Sequence, residues 1–174
     1  MQRTIRGFAL AVALSVMASA AFAQDMGIVT GSKKGTYYQF GLNMSELVKK
    51  QGVRLRVDDS QGSVQNVFSV YKAPDTQLGI VQSDVLAFVA KIQTDPVLQR
   101  IAAKTKMVFP FYNEEVHLLA NADVKDFDDL SGKIVAIGEE GSGIYLTSRL
   151  LFEASGIKPR DMLAVGPVDA LALL

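Results

Sequence analysis

The chain has 174 residues, with 18 basic and 18 acidic side chains, a single histidine and no cysteine. This balanced charge argues against a nucleic-acid partner, which demands a basic face. Without cysteine there is no disulfide framework, so stability has to come from an apolar core.

The first 23 residues have the pattern of a secretory signal peptide. Arg3 and Arg6 precede an apolar run at residues 7–17, and small residues lead up to Ala23. The run is shorter than the roughly 20 apolar residues of a membrane span. We therefore expect cleavage after Ala23 and a periplasmic protein. Without the two arginines, 16 basic and 18 acidic residues remain, a net charge of −2.

Predicted strands and helices alternate along the rest of the chain. The strands are predicted at residues 26–29, 53–59, 78–82, 134–138 and 161–166. The helices are predicted at residues 36–50, 64–71, 83–92 and 141–156, with a turn and short helix at 123–133 and a helix start at 167–174. This alternation predicts an α/β fold with mostly parallel sheets.

Residues 106–122 form a long stretch that we predict to be extended. Pro110 within it cannot donate to a ladder, so the stretch should bend there or lie at a sheet edge. Its position suggests a crossing between two lobes.

A glycine-rich turn, TGSKKGTYYQFG at residues 30–41, joins the first predicted strand to the first helix. Free N–H groups at such a helix start can hold an anion. A nucleotide-binding P-loop is disfavoured, because Lys33 and Lys34 precede the second glycine instead of following it. Lys33 is either a solvated loop residue or an attractor of acidic ligands. Of Tyr37 and Tyr38, periodicity does not decide which side chain faces a cleft.

A second turn, GEEGSG at residues 138–143, weakly repeats the first, since both join a strand to a hydroxyl-rich helix start. Two such turns would direct two helix N-termini, each with about half a positive charge, at one cleft. The glutamates of the second turn would repel a phosphate.

Polar side chains also follow the second and third strands, at Ser63, Asn66, Gln82 and Ser83. Taken singly, the two serines are ordinary N-cap candidates. Taken together, these groups stand at the carboxyl ends of parallel strands, where ligands of open α/β sheets bind.

Catalytic and metal chemistry find little support in the sequence. His117 lies in a predicted strand, with no cysteine and no G-x-S-x-G nucleophile motif to act with it. Glu114, Glu115 and His117 lack a metal-ligand spacing, and the acidic residues at 123–129 lack the glycine and distal glutamate of a calcium loop. We expect no catalytic residue, no metal and no cofactor.

Four motifs in the same order, TGSKKGTYYQFG, SQGSVQNV, LGIVQSDV and DLSGKIVAIGEEGSGIYLTSRLLFEASGI, resemble the TAXI family. These proteins are the solute-binding subunits of tripartite ATP-independent periplasmic (TRAP) transporters. The resemblance implies a type II periplasmic-binding-protein fold, with lobe one at residues 24–111 and part of lobe two at 112–174. It implies a small carboxylate ligand, such as glutamate, glutamine or 2-oxoglutarate, and membrane permease subunits as partners.

The resemblance also implies a set of ligand contacts. They are Gly35, Thr36, Tyr37, Ser63, Asn66, Gln82, Ser83, Ser142 and Gly143, with Tyr145 or Thr147 as further candidates. Members of the family are roughly twice as long, so we expect an incomplete second lobe. The alternatives are a binding protein of the same fold that serves an ATP-driven (ABC) importer, and a periplasmic sensor module.

Overall fold

The computed structural model describes residues 24–91 and 94–174. The predicted signal peptide lies outside the described residues. The strands are β1 (Gln24–Val29), β2 (Val53–Asp58), β3 (Leu78–Gly79), β4 (Ile134–Ala136) and β5 (Asp161–Leu163). The helices are α1 (Thr36–Lys49), α2 (Ser63–Lys72), α3 (Ser83–Lys91), α4 (Pro96–Lys104), α5 (Gly143–Ser155) and α6 (Pro167–Ala172), with a 3₁₀ turn at Asp128–Leu130.

The strands form two parallel sheets. In the first, β1 is central, and Ile28 lies opposite Val57 of β2 and Leu78 of β3. The second pairs β4 with β5, Val135 opposite Met162. The α/β class with parallel strands is therefore confirmed, and it is consistent with a periplasmic-binding-protein-like fold.

Three apolar clusters form the core. One packs α1 against the first sheet around Ile28, Leu55 and Ile80. A second joins α2, α3 and α4 through Val67, Val85, Val89 and Ile101. A third lies in the second half of the chain around Leu130, Ile137 and Phe152. Leu146 of α5 packs against the second cluster, so the two halves of the chain share an apolar contact.

Helix α4 was not predicted, although its start carries a clear local signal. Asp95 is the N-cap, and its carboxylate accepts hydrogen bonds from the backbone N–H groups of Val97 and Leu98, at 2.6 and 3.2 Å. Pro96 occupies the first turn, where its missing N–H group costs nothing. The helix buries Ile101 in the second cluster.

The predicted extended stretch forms no strand. Residues 105–121, which we name the connecting segment, contain no regular secondary structure. The prediction of a strand around His117 was therefore wrong. Aromatic contacts join the segment to α1, because the ring centres of Phe111 and Tyr112 lie 5.4 and 5.5 Å from that of Phe40.

Candidate functional site

One open cleft of about 990 Å³ lies where the N-terminal ends of helices α1, α2, α3 and α5 meet. Four of the regions that line it were predicted to contact a ligand. Part of the connecting segment and the start of α6 complete its walls. Seven of the predicted ligand contacts line it: Gly35, Thr36, Tyr37, Ser63, Gln82, Ser142 and Gly143.

The first wall is the glycine-rich turn that opens α1. The Gly35 N–H group donates to the Ser32 carbonyl oxygen at 2.8 Å, and this tight turn directs the first turn of α1 at the cleft. No side chain caps this helix, since its N-cap is Gly35 itself. The first N–H groups of α1 therefore lie at the cleft without a side-chain acceptor from the cap position.

The second wall is the start of α2. Ser63 was a candidate N-cap of this helix, but it does not cap it. The N-cap is Gly62, with a φ of 128° that favours glycine. The Ser63 hydroxyl oxygen, almost fully buried, instead accepts a hydrogen bond from the Gln82 N–H group at 3.0 Å. This bond fixes the start of α3 against the start of α2, so both helix ends line the same cleft.

Asn66 lies beneath the cleft and does not line it. Its side-chain amide donates to the carbonyl oxygens of Thr30 and Ile80, and its amide oxygen accepts from the Ser60 hydroxyl at 2.6 Å. The residue is fully buried. Asn66 therefore ties together the ends of β1 and β3 and the turn after β2.

The opposite wall is the second glycine-rich turn, at the start of α5. Ser142 caps the helix by accepting from the Tyr145 N–H group at 3.1 Å. The Gly141 carbonyl accepts from the Gln65 N–H group at 3.1 Å, which joins this wall directly to α2. A Cβ on Gly143 would lie 1.3 Å from Gln82 Oε1, so only glycine fits there without displacing that amide.

Four predicted contacts lie outside the cleft lining. One is Asn66, and the other three are Ser83, Tyr145 and Thr147. Ser83 is an exposed first residue of α3. Tyr145 packs in the third core cluster, with the Arg149 guanidinium 5.6 Å from its ring centre. The Thr147 hydroxyl donates to Asp84 Oδ2 at 2.5 Å, which links α5 to α3.

The connecting segment supplies a further wall, which was not predicted to contact a ligand. Glu114, Glu115 and Val116 line the cleft, and the Tyr37 hydroxyl donates to Glu114 Oε2 at 2.8 Å. These residues are 77 positions apart, so only the folded chain brings them together. The start of α6, at residues 166–169, also lines the cleft and was not predicted to do so.

Tyr37 is the half-buried cleft tyrosine, which answers the question that periodicity left open. Burial raises its pKa well above its ordinary value, and the hydrogen bond to the Glu114 carboxylate raises the pKa further. The phenol is therefore neutral at physiological pH. Its one hydroxyl proton is donated to Glu114, which itself lines the cleft.

The cleft carries more acidic than basic side chains. Its lysines are Lys33 and Lys34, and its acidic residues are Asp59, Glu114, Glu115, Glu139 and Asp169. Lys33 forms an exposed ion pair with Asp59 at 3.7 Å. Within the described ranges, no group of three or more His, Cys, Asp or Glu side chains is arranged to hold a metal ion.

In the part of the chain that the structure describes, none of the helices has the length and apolar character needed to cross a membrane. A model of the NMT1-like family matches residues 28–173, which include every wall of the cleft. That family is associated with periplasmic solute-binding proteins of the TRAP and ABC transport systems. Since the match covers most of its length, the chain belongs to the NMT1-like family.

Proposed function

We propose that the protein is an extracytoplasmic solute-binding protein that captures a small carboxylate and delivers it to the permease of a TRAP-type transporter. Family membership supports the role of solute-binding protein with a small-molecule ligand and a membrane transporter as partner. The TAXI resemblance of the four motifs adds the carboxylate and the TRAP permease. A binding role without catalysis is part of the proposal.

The main support for a carboxylate ligand is that four helix N-termini meet at one cleft. Each helix start presents N–H groups and about half a positive charge. A carboxylate can accept hydrogen bonds from several of these N–H groups at once, so no arginine is needed to hold it. The same four helix starts would disfavour a ligand whose inner end is cationic.

The wall residues divide into proposed contacts and supports. We assign direct contact to the backbone of Gly35, Thr36 and Gly143 and to the side chains of Tyr37, Ser63, Gln82 and Ser142. All seven lie on the cleft wall. Asn66, Tyr145 and Thr147 instead hold the elements that present these contacts, and Ser83 is assigned no contact with the ligand.

A thermal-shift scan of the purified protein against amino acids, oxo acids and dicarboxylates tests the proposal. A ligand present at 100 times its dissociation constant stabilises the folded state by about 2.7 kcal/mol, which raises the melting temperature clearly. We expect a shift with at least one small carboxylate. A clear melt that no member of the panel shifts would contradict the proposal.

The type of transporter is a separate question, because the family is associated with both TRAP and ABC systems. The genes adjacent to this one distinguish them. A large multispan permease without an ATPase is the expected neighbour, and an adjacent transport ATPase would favour the ABC alternative.

A further inference from the structure

The connecting segment is apolar and open to solvent along its length. Eight large apolar side chains between residues 107 and 119 are 39–76 % exposed, and Met107, Val108 and Leu119 are the most exposed of them. At about 200 Å² for a large side chain, the eight present on the order of 800 Å² of surface. A stable protein–protein interface takes roughly 800 Å² from each partner. The segment alone is therefore large enough to form one.

The backbone of the segment is as open as its side chains. The chain runs from residue 105 to residue 121 without a turn or a bend. Among the described residues, no backbone N–H or C=O group of residues 106–120 takes part in a hydrogen bond. An extended, apolar backbone with free N–H and C=O groups is a template for the addition of another strand. The partner that fits the segment is therefore a second extended segment.

Two copies of the segment complement each other when they run antiparallel about Pro110. Pro110 then faces Pro110 of the second copy, Phe109 faces Phe111, and Lys106 faces Glu114. Aromatic pairs and pairs of opposite charge across two strands both stabilise their pairing. A parallel arrangement in register would instead bring the two lysines together and the two glutamates together. The charge pattern therefore favours the antiparallel arrangement.

The missing N–H group of Pro110 is compatible with this pairing. Facing residues of an antiparallel pair alternate between hydrogen-bonded and non-hydrogen-bonded positions. With the two-fold axis at a non-hydrogen-bonded position, Pro110 is not required to donate, and Phe109 and Phe111 exchange hydrogen bonds across the axis. Because the same segment serves both copies, the contact closes at two chains.

We propose that the connecting segment is a dimer interface, at which two copies of the chain pair their segments as antiparallel strands centred on Pro110. The pairing would satisfy backbone groups that have no partner within the described residues, and it would cover the exposed apolar side chains. The proposal does not depend on which solute the cleft binds.

Sedimentation velocity of the purified protein at a series of concentrations tests the dimer. We expect the mass of two chains, with dissociation to one chain on dilution. In Phe109→Glu we expect dimerisation at least tenfold weaker, because the substitution places two like charges close to the two-fold axis. Leu151→Glu is the matched control, since Leu151 is 40 % exposed on α5 and lies outside the segment. A single chain at every concentration, or equal effects of the two substitutions, would overturn the proposal.

A disulfide cross-link tests the register independently of these variants. The chain has no cysteine, so Pro110→Cys carries a single thiol. Facing Cα atoms at a non-hydrogen-bonded position lie about 4.5 Å apart, within the range that a disulfide spans. Under mild oxidation we expect a covalent dimer of Pro110→Cys on a non-reducing gel, and none of Leu151→Cys. No covalent dimer of Pro110→Cys, or as much of Leu151→Cys, would overturn the pairing about Pro110.

Discussion

Gly143 is a residue at which the start of α5 lies directly against Gln82 and Ser63. A methyl group there would meet Gln82 Oε1 at 1.3 Å and Ser63 Oγ at 3.0 Å. Because φ at Gly143 is not positive, an alanine would strain contacts and not the backbone. In Gly143→Ala we expect Gln82 to swing away and ligand affinity to fall about tenfold or more, as measured by titration.

Gly132→Ala is the control for this substitution. Gly132 has a φ of 73° and open space around its Cα, so an alanine there should cost about 1 kcal/mol of stability. Gly132 does not line the cleft. Affinity should therefore stay unchanged in Gly132→Ala, and a similar loss in both variants would contradict the steric explanation.

Asn66 is the residue on which the floor of the cleft depends. Asn66→Ala would leave the carbonyl groups of Thr30 and Ile80 without this donor inside the protein. Leaving buried polar groups unsatisfied costs about 1–3 kcal/mol each, so we expect a loss of about 3 kcal/mol in urea unfolding. Asn43→Ala, at an exposed position of α1, should change stability by less than about 0.5 kcal/mol. Equal effects of the two substitutions would show that the buried network contributes little.

At the scale of elements, two helix caps separate stability from binding. Asp95 caps α4 away from the cleft, whereas Ser142 caps α5 on the cleft wall. Each substitution to alanine should cost about 1 kcal/mol of stability. We expect only Ser142→Ala to weaken ligand binding as well, in paired unfolding and titration experiments. Weaker binding in Asp95→Ala would contradict this separation.

Local signals predicted an element well where a capping residue or a glycine marks its start or end. Gly156, with a φ of 75° and its N–H group donating to the Phe152 carbonyl at 3.0 Å, ends α5 as predicted. The parallel strands followed from their alternation with helices. The Asp95-Pro96 pair at the start of α4 is a typical helix-start signal, although α4 was not predicted.

Contacts between distant residues were beyond the sequence. The sequence pattern could not show that residues 105–121 form no strand. Residues that favour strands form one only where a neighbouring strand is available to pair with them. It could not place Glu114 against Tyr37, nor show that Asn66 would be buried under the cleft. The predicted contacts that do line the cleft are those at helix starts, because a helix start can be recognised locally.

At the scale of the whole molecule, α5 connects the two proposed lobes. Leu146 packs against the cluster of α2, α3 and α4, and the Thr147 hydroxyl donates to Asp84. The Gln65–Gly141 backbone hydrogen bond adds a third link. The division into lobes at residues 24–111 and 112–174 stays a prediction. These links show that both parts build one cleft.

Export is a prediction for the whole chain. We expect the protein recovered from the periplasm to begin at Gln24, because the residues before it have the order of a cleavable signal. Mass spectrometry of the intact protein measures the start directly. A chain that keeps its first 23 residues and remains in the membrane fraction would contradict cleavage.

The most direct test of the central claim is to locate the bound ligand by heteronuclear NMR. A small carboxylate found by the thermal-shift scan is titrated into isotope-labelled protein while the backbone amide signals are followed. If the ligand binds at the helix starts, we expect saturable shifts around Gly35, Ser63 and Gly143, with the amides of α4 unaffected. Saturable shifts confined to the surface near Gly156, with these helix starts unchanged, would contradict it.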